Sequence, residues 1–241
     1  MHWNDPAIVL GSKKYGESAA VVCLLTQSHG LYKGLVRSMN GKAARGIFQT
    51  GNFIDAKWSG RLPEHLGNFS AELTKPNAAL LLSDSVKLTA LGAICSLLEM
   101  TLPERDQCPD IYDRLYNFIE IMCQSDSWQY EYVILELELL THLGFGLDLS
   151  ECAATGATED LVYLSPKSGR AVSRKAGEPY KSKLFLLPEY FITGEINEKT
   201  EGNALNGLDI CAYFLEKYVL KPHNAALPLT RLRLREMVIS C

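Results

Sequence analysis

No run of about 18 apolar residues occurs anywhere in this 241-residue chain, so the sequence offers no helix able to span a bilayer. The first two dozen or so residues carry Asp5 and Glu17 inside a broken apolar pattern, which excludes the layout of a secretory signal. Nor is there a disulfide framework. Seven cysteines, an odd number, are scattered at positions 23, 95, 108, 123, 152, 211 and 241, most of them inside apolar stretches where cysteine behaves as a small buried hydrophobe. A cytoplasmic protein in a reducing compartment, with no membrane contact, is the expectation.

Fingerprints of chemistry are equally scarce. "GKAARG" has neither the spacing nor the Lys-Ser/Thr pair of a phosphate loop, and "LGFGLDLS" lacks the third glycine of a dinucleotide site. The five histidines, at 2, 29, 65, 142 and 223, form no HxxxH or HxH pair, and no serine stands in a GxSxG elbow. Glu131, Glu136 and Glu138 could supply an acid/base couple, but Glu136 and Glu138 are two apart and diverge on a helix, so a solvated face is the expectation. The chain reads as a binding protein, without cofactor, rather than an enzyme.

What the chain does have is apolar content and segregated charge. At 47% hydrophobic residues it can fill a sizeable core. The formal charge of -4 divides into +4 over residues 1–80, -12 over 81–160 and +4 over 161–241. Such a pattern suits a protein that touches a polyanion with part of its surface. It also suits chance segregation among solvated helix faces, and charge alone leaves the two open.

Residues 1–77 read as strands. "AIVLGSKKY", "SAAVVCLLTQ", "GLYKGLVRS", "GNFIDAKWSG" and "GNFSAELT" are five short segments rich in β-branched and aromatic residues, bounded by Gly, Asn and Ser turns. Five such strands with glycines for sharp bends fit an OB-fold barrel. From Asn77 the spacing becomes helical, first over "AALLLSDSVKLTALGAICSLLEMTLP", then "DIYDRLYNFIEIMCQ", "WQYEYVILELELLTHLGFG", "ALNGLDICAYFLEKYVLK" and "LTRLRLREMVI". Between the third and fourth, "LVYLSPKSGRAVS" reads as a hairpin. The expectation is an α+β chain: an OB-fold nucleic-acid-binding domain over 1–77, then a helical domain over 78–241 with a hairpin insertion at about 150–175.

Lys33, Arg37, Lys42, Arg45, Lys57 and Arg61 fall on or beside the third and fourth expected strands, interleaved with Tyr32, Phe48 and Trp58. Barrels of this type bring cations to phosphates while aromatic rings accept stacked bases. For Trp58 the alternation of "FIDAKWSG" favours a core position; for the cations as a group, nucleic-acid binding is the expectation.

These residues carry a resemblance. "GLYKGLVRSMNGKAARGIFQTGNFIDAKWSGRLPEHLGNFSAELTK", followed by "YEYVILELELLTHLGFGLDLSECAATGATEDLVYLSPKSGRAVS", resembles the RecO family of bacterial DNA repair and recombination mediators, and the likeness extends to "PLTRLRLREMVI". Its most specific part is the Gly-Leu-Asp-Leu-Ser-x-Cys-Ala run at 146–153. The resemblance implies binding of single- and double-stranded DNA, strand annealing, association with RecR, and contact with the single-stranded-DNA-binding protein through its C-terminal tail. It further implies a functional link to RecA and a bacterial, nucleoid-associated location. A second basic group, Arg170, Arg174, Lys175, Lys181 and Lys183 with Arg231, Arg233 and Arg235, could extend the DNA track or receive that acidic tail. A protein-interaction scaffold and an RNA-binding barrel are the alternatives.

Some members of that family hold zinc with two CxxC pairs flanking a hairpin. Here the first pair reads Cys152-Ala-Ala-Thr155 and the second is missing. One thiol of four cannot hold a tetrahedral structural zinc, so no metal is expected. The hairpin is expected to rest on Val162, Leu164, Ala171 and Val172, with turn hydrogen bonds from Ser165 and Ser168.

Overall fold

The structure is a computed structural model describing residues 1–62, 65–125, 128–194 and 203–239. Five strands, β1 (His2–Tyr15), β2 (Ala19–Thr26), β3 (Gly30–Val36), β4 (Phe53–Ser59) and β5 (Asn68–Lys75), close into a barrel in the order β1-β2-β3-β5-β4. All neighbours are antiparallel except β3 and β5, whose parallel closure is marked by the pair Leu35 and Asn68. Strict alternation supplies the core. Val9, Val22, Leu24, Ile54, Ala56 and Phe69 point inward and are at most 5% exposed, while Asp55 and Lys57 between them face out.

Strand β1 begins at His2, earlier than its apolar run, because its first half pairs with β4 and its second half with β2. One long strand thus serves two neighbours, with an irregularity between Val9 and Gly11 where it bends. A short helix absent from the sequence expectation, α1 (Lys42–Ile47), lies between β3 and β4. Six residues hold too little periodicity to register as a helix, but Ile47 and the following Phe48 enter the barrel core and anchor it. Buried Asn52 secures its end by donating to the carbonyls of Gly46 and Ile47 while accepting from the N–H of Ala78.

The first expected helix divides into α2 (Asn77–Leu80) and α3 (Ser85–Thr101). Asp84 breaks it: its carboxylate accepts from the N–H groups of Val86 and Lys87, the geometry of an N-cap. Then come α4 (Pro109–Gln124) and α5 (Trp128–His142). Glu136 on α5 is fully buried, which corrects its placement on a solvated face; α5 carries buried residues nearly all round, so even its polar position is covered.

The expected hairpin is present as β6 (Leu161–Leu164) and β7 (Ala171–Ser173), and a third strand, β8 (Phe185–Leu186), joins it in the order β7-β6-β8. The chain from β7 to β8 passes through α6 (Arg174–Gly177) and a 3-10 turn, and α7 (Tyr190–Thr193) follows β8. After α8 (Asn203–Phe214), a π-helical stretch from Leu215 to Leu220 widens the last turns before α9 (Leu229–Ile239).

Packing divides the chain into two compact units, Met1–Asp126 with Pro228–Met237, and Ser127–Leu227 with Val238–Cys241. The passage from strands to helices at residue 77 is therefore a change of secondary structure, while α2, α3 and α4 share the barrel's unit. The six described cysteines are all free thiols, five of them buried; Cys241 lies outside the described residues. No described helix is long and apolar enough to cross a membrane.

Candidate nucleic-acid interface

Register and hydrogen bonds bring one set of loops to a single pole of the barrel. The hairpin tip between β1 and β2, the C-terminal end of β3 and the start of β5 meet there, since Ala20 pairs with Val36 and Leu35 with Asn68. The N–H of Met39 donates to the carbonyl of Ser18 at 2.7 Å, and that of Leu35 to Gly67 at 3.0 Å, tying the loops together. Four of the six cations expected from sequence gather at this pole. Arg37 leaves β3 and donates through Nε to Asn68 Oδ1 at 2.8 Å; Arg45 on α1 donates to the carbonyl of Met39 at 3.0 Å; Lys42 opens α1; Arg61 follows β4. All four are exposed, and among the described residues none of them forms an ion pair. Charges held by neutral oxygen atoms keep their full attraction for phosphate.

Lys33 and Lys57 stand elsewhere. Lys33 Nζ contacts Glu104 Oε1 at 2.6 Å, and this bond raises its pKa above the ordinary lysine value. Lys57 faces out from the middle of β4, paired with Glu72 at 3.1 Å. Each is neutralised by a carboxylate that spacing along the chain could not reveal. The three aromatic residues interleaved with the cations are also withdrawn from any stacking role. Tyr32, Phe48 and Trp58 are 4%, 4% and 1% exposed inside the barrel, and the Trp58 indole donates to the carbonyl of Leu66 at 3.1 Å.

The exposed ring at the pole is Tyr15, 60% exposed at the end of β1, beside Lys14 and Gly16. Sequence reasoning passed over these residues because "KKYGES" reads as the end of one strand and a turn. The signal was present: two lysines and a tyrosine before a glycine of positive φ are the tip of a hairpin, and hairpin tips are exposed.

The second basic group is divided. Arg170, Arg174, Lys181 and Lys183 belong to the second packing unit, and Arg231, Arg233 and Arg235 to the first. Arg170 is held by Asp148 and Glu151, each at 2.9 Å, Arg174 by Asp160 at 3.1 Å and Lys181 by Glu178 at 2.8 Å. Ser150 and Arg170 together keep the Asp148 carboxyl below its ordinary value. The pairs of Arg170 and Arg174 fasten the hairpin sheet to the preceding loop, while that of Lys181 closes within the 3-10 turn after α6. Arg231 is 1% exposed and presents no surface to a partner, whereas Arg233 is exposed.

Cys152 opens a tight hydrogen-bonded turn before the hairpin. Cys152 is 1% exposed, and the N–H of Ser173 donates to its sulfur at 3.2 Å. Burial raises the thiol, but donors from Ser173, Thr155 and Ala154 outweigh it and hold it down at about 6. Backbone turns through Thr155 and Gly156, both returning to the carbonyl of Cys152, close the loop that a second cysteine would complete. Among the described residues no three His, Cys, Asp or Glu side chains are grouped to hold a metal, and the donors around Cys152 do not fit zinc. Leu164 and Ala171 are fully buried and Val172 nearly so, and Ser165 receives the N–H groups of Ser168 and Gly169. Incubation with a strong chelator is expected to leave the melting temperature unchanged; a drop of several degrees, or one equivalent of zinc by elemental analysis, would overturn this reading.

Comparison with known proteins gives a consistent picture. Residues 1–77 match the family described as "Recombination protein O N terminal", and residues 82–226 match "Recombination protein O C terminal". The chain is 43% identical over 226 residues to the DNA repair protein RecO of Rhodopseudomonas palustris, covering 93% of this chain and 89% of that one. It is 40% identical over 237 residues to the DNA repair protein RecO of Bartonella quintana, with 98% and 97% covered. A Wolbachia protein of the same description is 38% identical over 245 residues, spanning both chains entirely.

Proposed function

Because the chain belongs to the recombination protein O family of DNA repair proteins, we propose that it is a recombination mediator that binds DNA through the basic pole of its barrel. In this reading residues 1–77 are the nucleic-acid-binding domain and residues 78–241 the helical domain. The observation that carries it is the gathering of Arg37, Lys42, Arg45 and Arg61, exposed and without carboxylate partners among the described residues, around a hairpin tip bearing exposed Tyr15.

Strand annealing requires that phosphate repulsion be neutralised while base edges stay free to pair. Four cations on exposed side chains do the first without reading sequence. A single tyrosine ring that stacks on any base does not obstruct the second. Nothing in this requires covalent chemistry, so the role is that of a mediator and not a catalyst. Partnership with RecR, with the acidic tail of the single-stranded-DNA-binding protein, and a consequent aid to RecA loading complete the reading, as does a place on the bacterial nucleoid.

The test is strand annealing. With two complementary fluorescent strands the protein is expected to accelerate duplex formation, both on bare strands and on strands coated with single-stranded-DNA-binding protein. The logarithm of its single-strand affinity should fall with the logarithm of salt with a slope of about -3, as four phosphate contacts require. Absence of any single-strand binding at low salt would make the chain a scaffold. Tenfold preference for a matched RNA strand would make it an RNA-binding barrel.

A further inference from the structure

A cavity of about 330 Å³ opens on the outer face of β1, β2 and β3, away from the barrel interior. Alternation puts Lys13, Tyr15, Val21, Cys23 and Lys33 on that face, since their neighbours Val22, Leu24, Tyr32 and Gly34 point inward or lie against Phe69. Toward the other end of the same face Ile8, Leu25 and Leu31 are fully buried, with α3 packed on β1. The cavity is the part of the face that the helix leaves uncovered. Gly11 contributes to the space: a side chain there would meet the Glu99 carboxylate, 3.3 Å from an added Cβ.

The charge inside is arranged in pairs. Lys13 Nζ contacts Glu99 Oε1 at 2.9 Å, and the Glu99 side chain is only 18% exposed. Lys33 Nζ contacts Glu104 Oε1 at 2.6 Å, and Lys14 lies on the cavity wall beside them. Cys23 on the floor is 3% exposed, and burial pushes its thiol up to about 12, so the floor stays neutral. Lys13 and Lys33 therefore bring two ammonium groups to a space of the size that takes a small polar ligand, each answered by a carboxylate standing where an anion would bind.

We propose that this cavity is a second phosphate-binding site of the barrel, built for one unit of a single-stranded polynucleotide, and that Glu99 and Glu104 hold it closed by occupying Lys13 and Lys33. The inference rests on the reading that the barrel binds single strands, but it concerns a face separate from the basic pole. Tyr15 belongs to both, 60% exposed at the pole and lining the cavity, so a strand leaving the pole passes its ring on the way in. One member of each pair, Lys13 and Glu104, stays open to solvent, so salt and a competing anion both reach the pairs. A phosphate already tethered at the pole, at millimolar effective concentration, can exchange for them, whereas a free short strand cannot. The carboxylates thereby favour long single strands over fragments.

The experiment compares binding of thymidine oligonucleotides of about 8 and about 30 nucleotides to the full chain. The variant Glu99→Gln/Glu104→Gln is expected to bind the short strand at least tenfold more tightly at about 0.1 M salt and to narrow the difference between the two lengths, because two further contacts become available at once. Asp55→Asn/Asp113→Asn, which removes the same charge from exposed positions on β4 and α4, is the control for a general change of field and is expected to change affinity by less than about threefold. Adding Lys13→Ala/Lys33→Ala to the Gln variant should abolish the gain. A gain no larger than that of the control, or one that survives loss of the two lysines, overturns the proposal. Loss of binding on neutralising the pole, together with a null result here, would leave the pole reading standing and remove this one alone; no single-strand binding by the unaltered chain would remove both.

Discussion

Replacement of Arg37, Lys42, Arg45 and Arg61 together by alanine is expected to lower single-strand affinity by about 10²- to 10³-fold at about 0.1 M salt. Each phosphate contact releases about 0.7 of a counterion from a single strand, which is worth about 0.7 of a log unit between about 0.1 M and 1 M salt; four contacts make nearly three log units. The salt dependence should flatten in proportion, so wild type and variant converge near about 1 M salt. Stability should change little, because the four side chains are exposed, with Arg37 and Arg45 each donating to one neutral oxygen. Lys33→Ala/Lys57→Ala is the informative comparison. Those lysines are already paired with Glu104 and Glu72, so their removal at the same salt should cost less than about tenfold. Equal losses from the two variants would sink the assignment of the pole as the DNA site.

Gly30→Ala is expected to destabilise the protein by about 3–5 kcal/mol, large against a total stability of about 5–15 kcal/mol, and to lower its melting temperature by about 10 °C or more. Gly30 has φ +68°, and a Cβ there would lie 1.8 Å from the carbonyl oxygen of Asp106. The obstacle is backbone and cannot swing aside. The segment 104–106 runs along the start of β3, with the N–H of Arg105 donating to the carbonyl of Leu31 at 2.8 Å, so relieving the clash breaks that union of barrel and helices. Gly16→Ala separates the two costs. Gly16 has φ +65° but open space around it, and its substitution should cost only the left-handed conformation, about 1–2 kcal/mol. Equal destabilisation by the two, measured in urea, would show that the contact with Asp106 contributes nothing.

Much of this was legible in the residues. The alternation of "GNFIDAKWSG" put Trp58 inside and Lys57 outside, and both are so placed. The 3.6-residue spacing located α4, α5 and α9 to within a residue or two at their starts. The misses have two causes, local signals masked by their surroundings and partners distant along the chain. Asp84 as a cap inside an apolar run is a local signal overridden by strong periodicity on both sides. β8 has two residues and acquires its strand character only from pairing with β6. Lys33 met Glu104 across 71 positions, and Lys57 met Glu72 across a strand pair whose register no composition reveals.

The sequence by itself determined the class of fold, the family, the burial of Trp58 at its alternating position and the lack of four thiolates for a zinc site at Cys152, because each of these follows from residue type at short spacing. Only the tertiary structure decided which cations are available to a polyanion. Charge is a property of a residue, but attraction for phosphate is a property of its neighbours, and those neighbours are set by barrel closure and by α3 lying across β1. Six lysines and arginines that look equivalent in order along the chain are divided by the fold into four exposed at one pole and two already answered by glutamate.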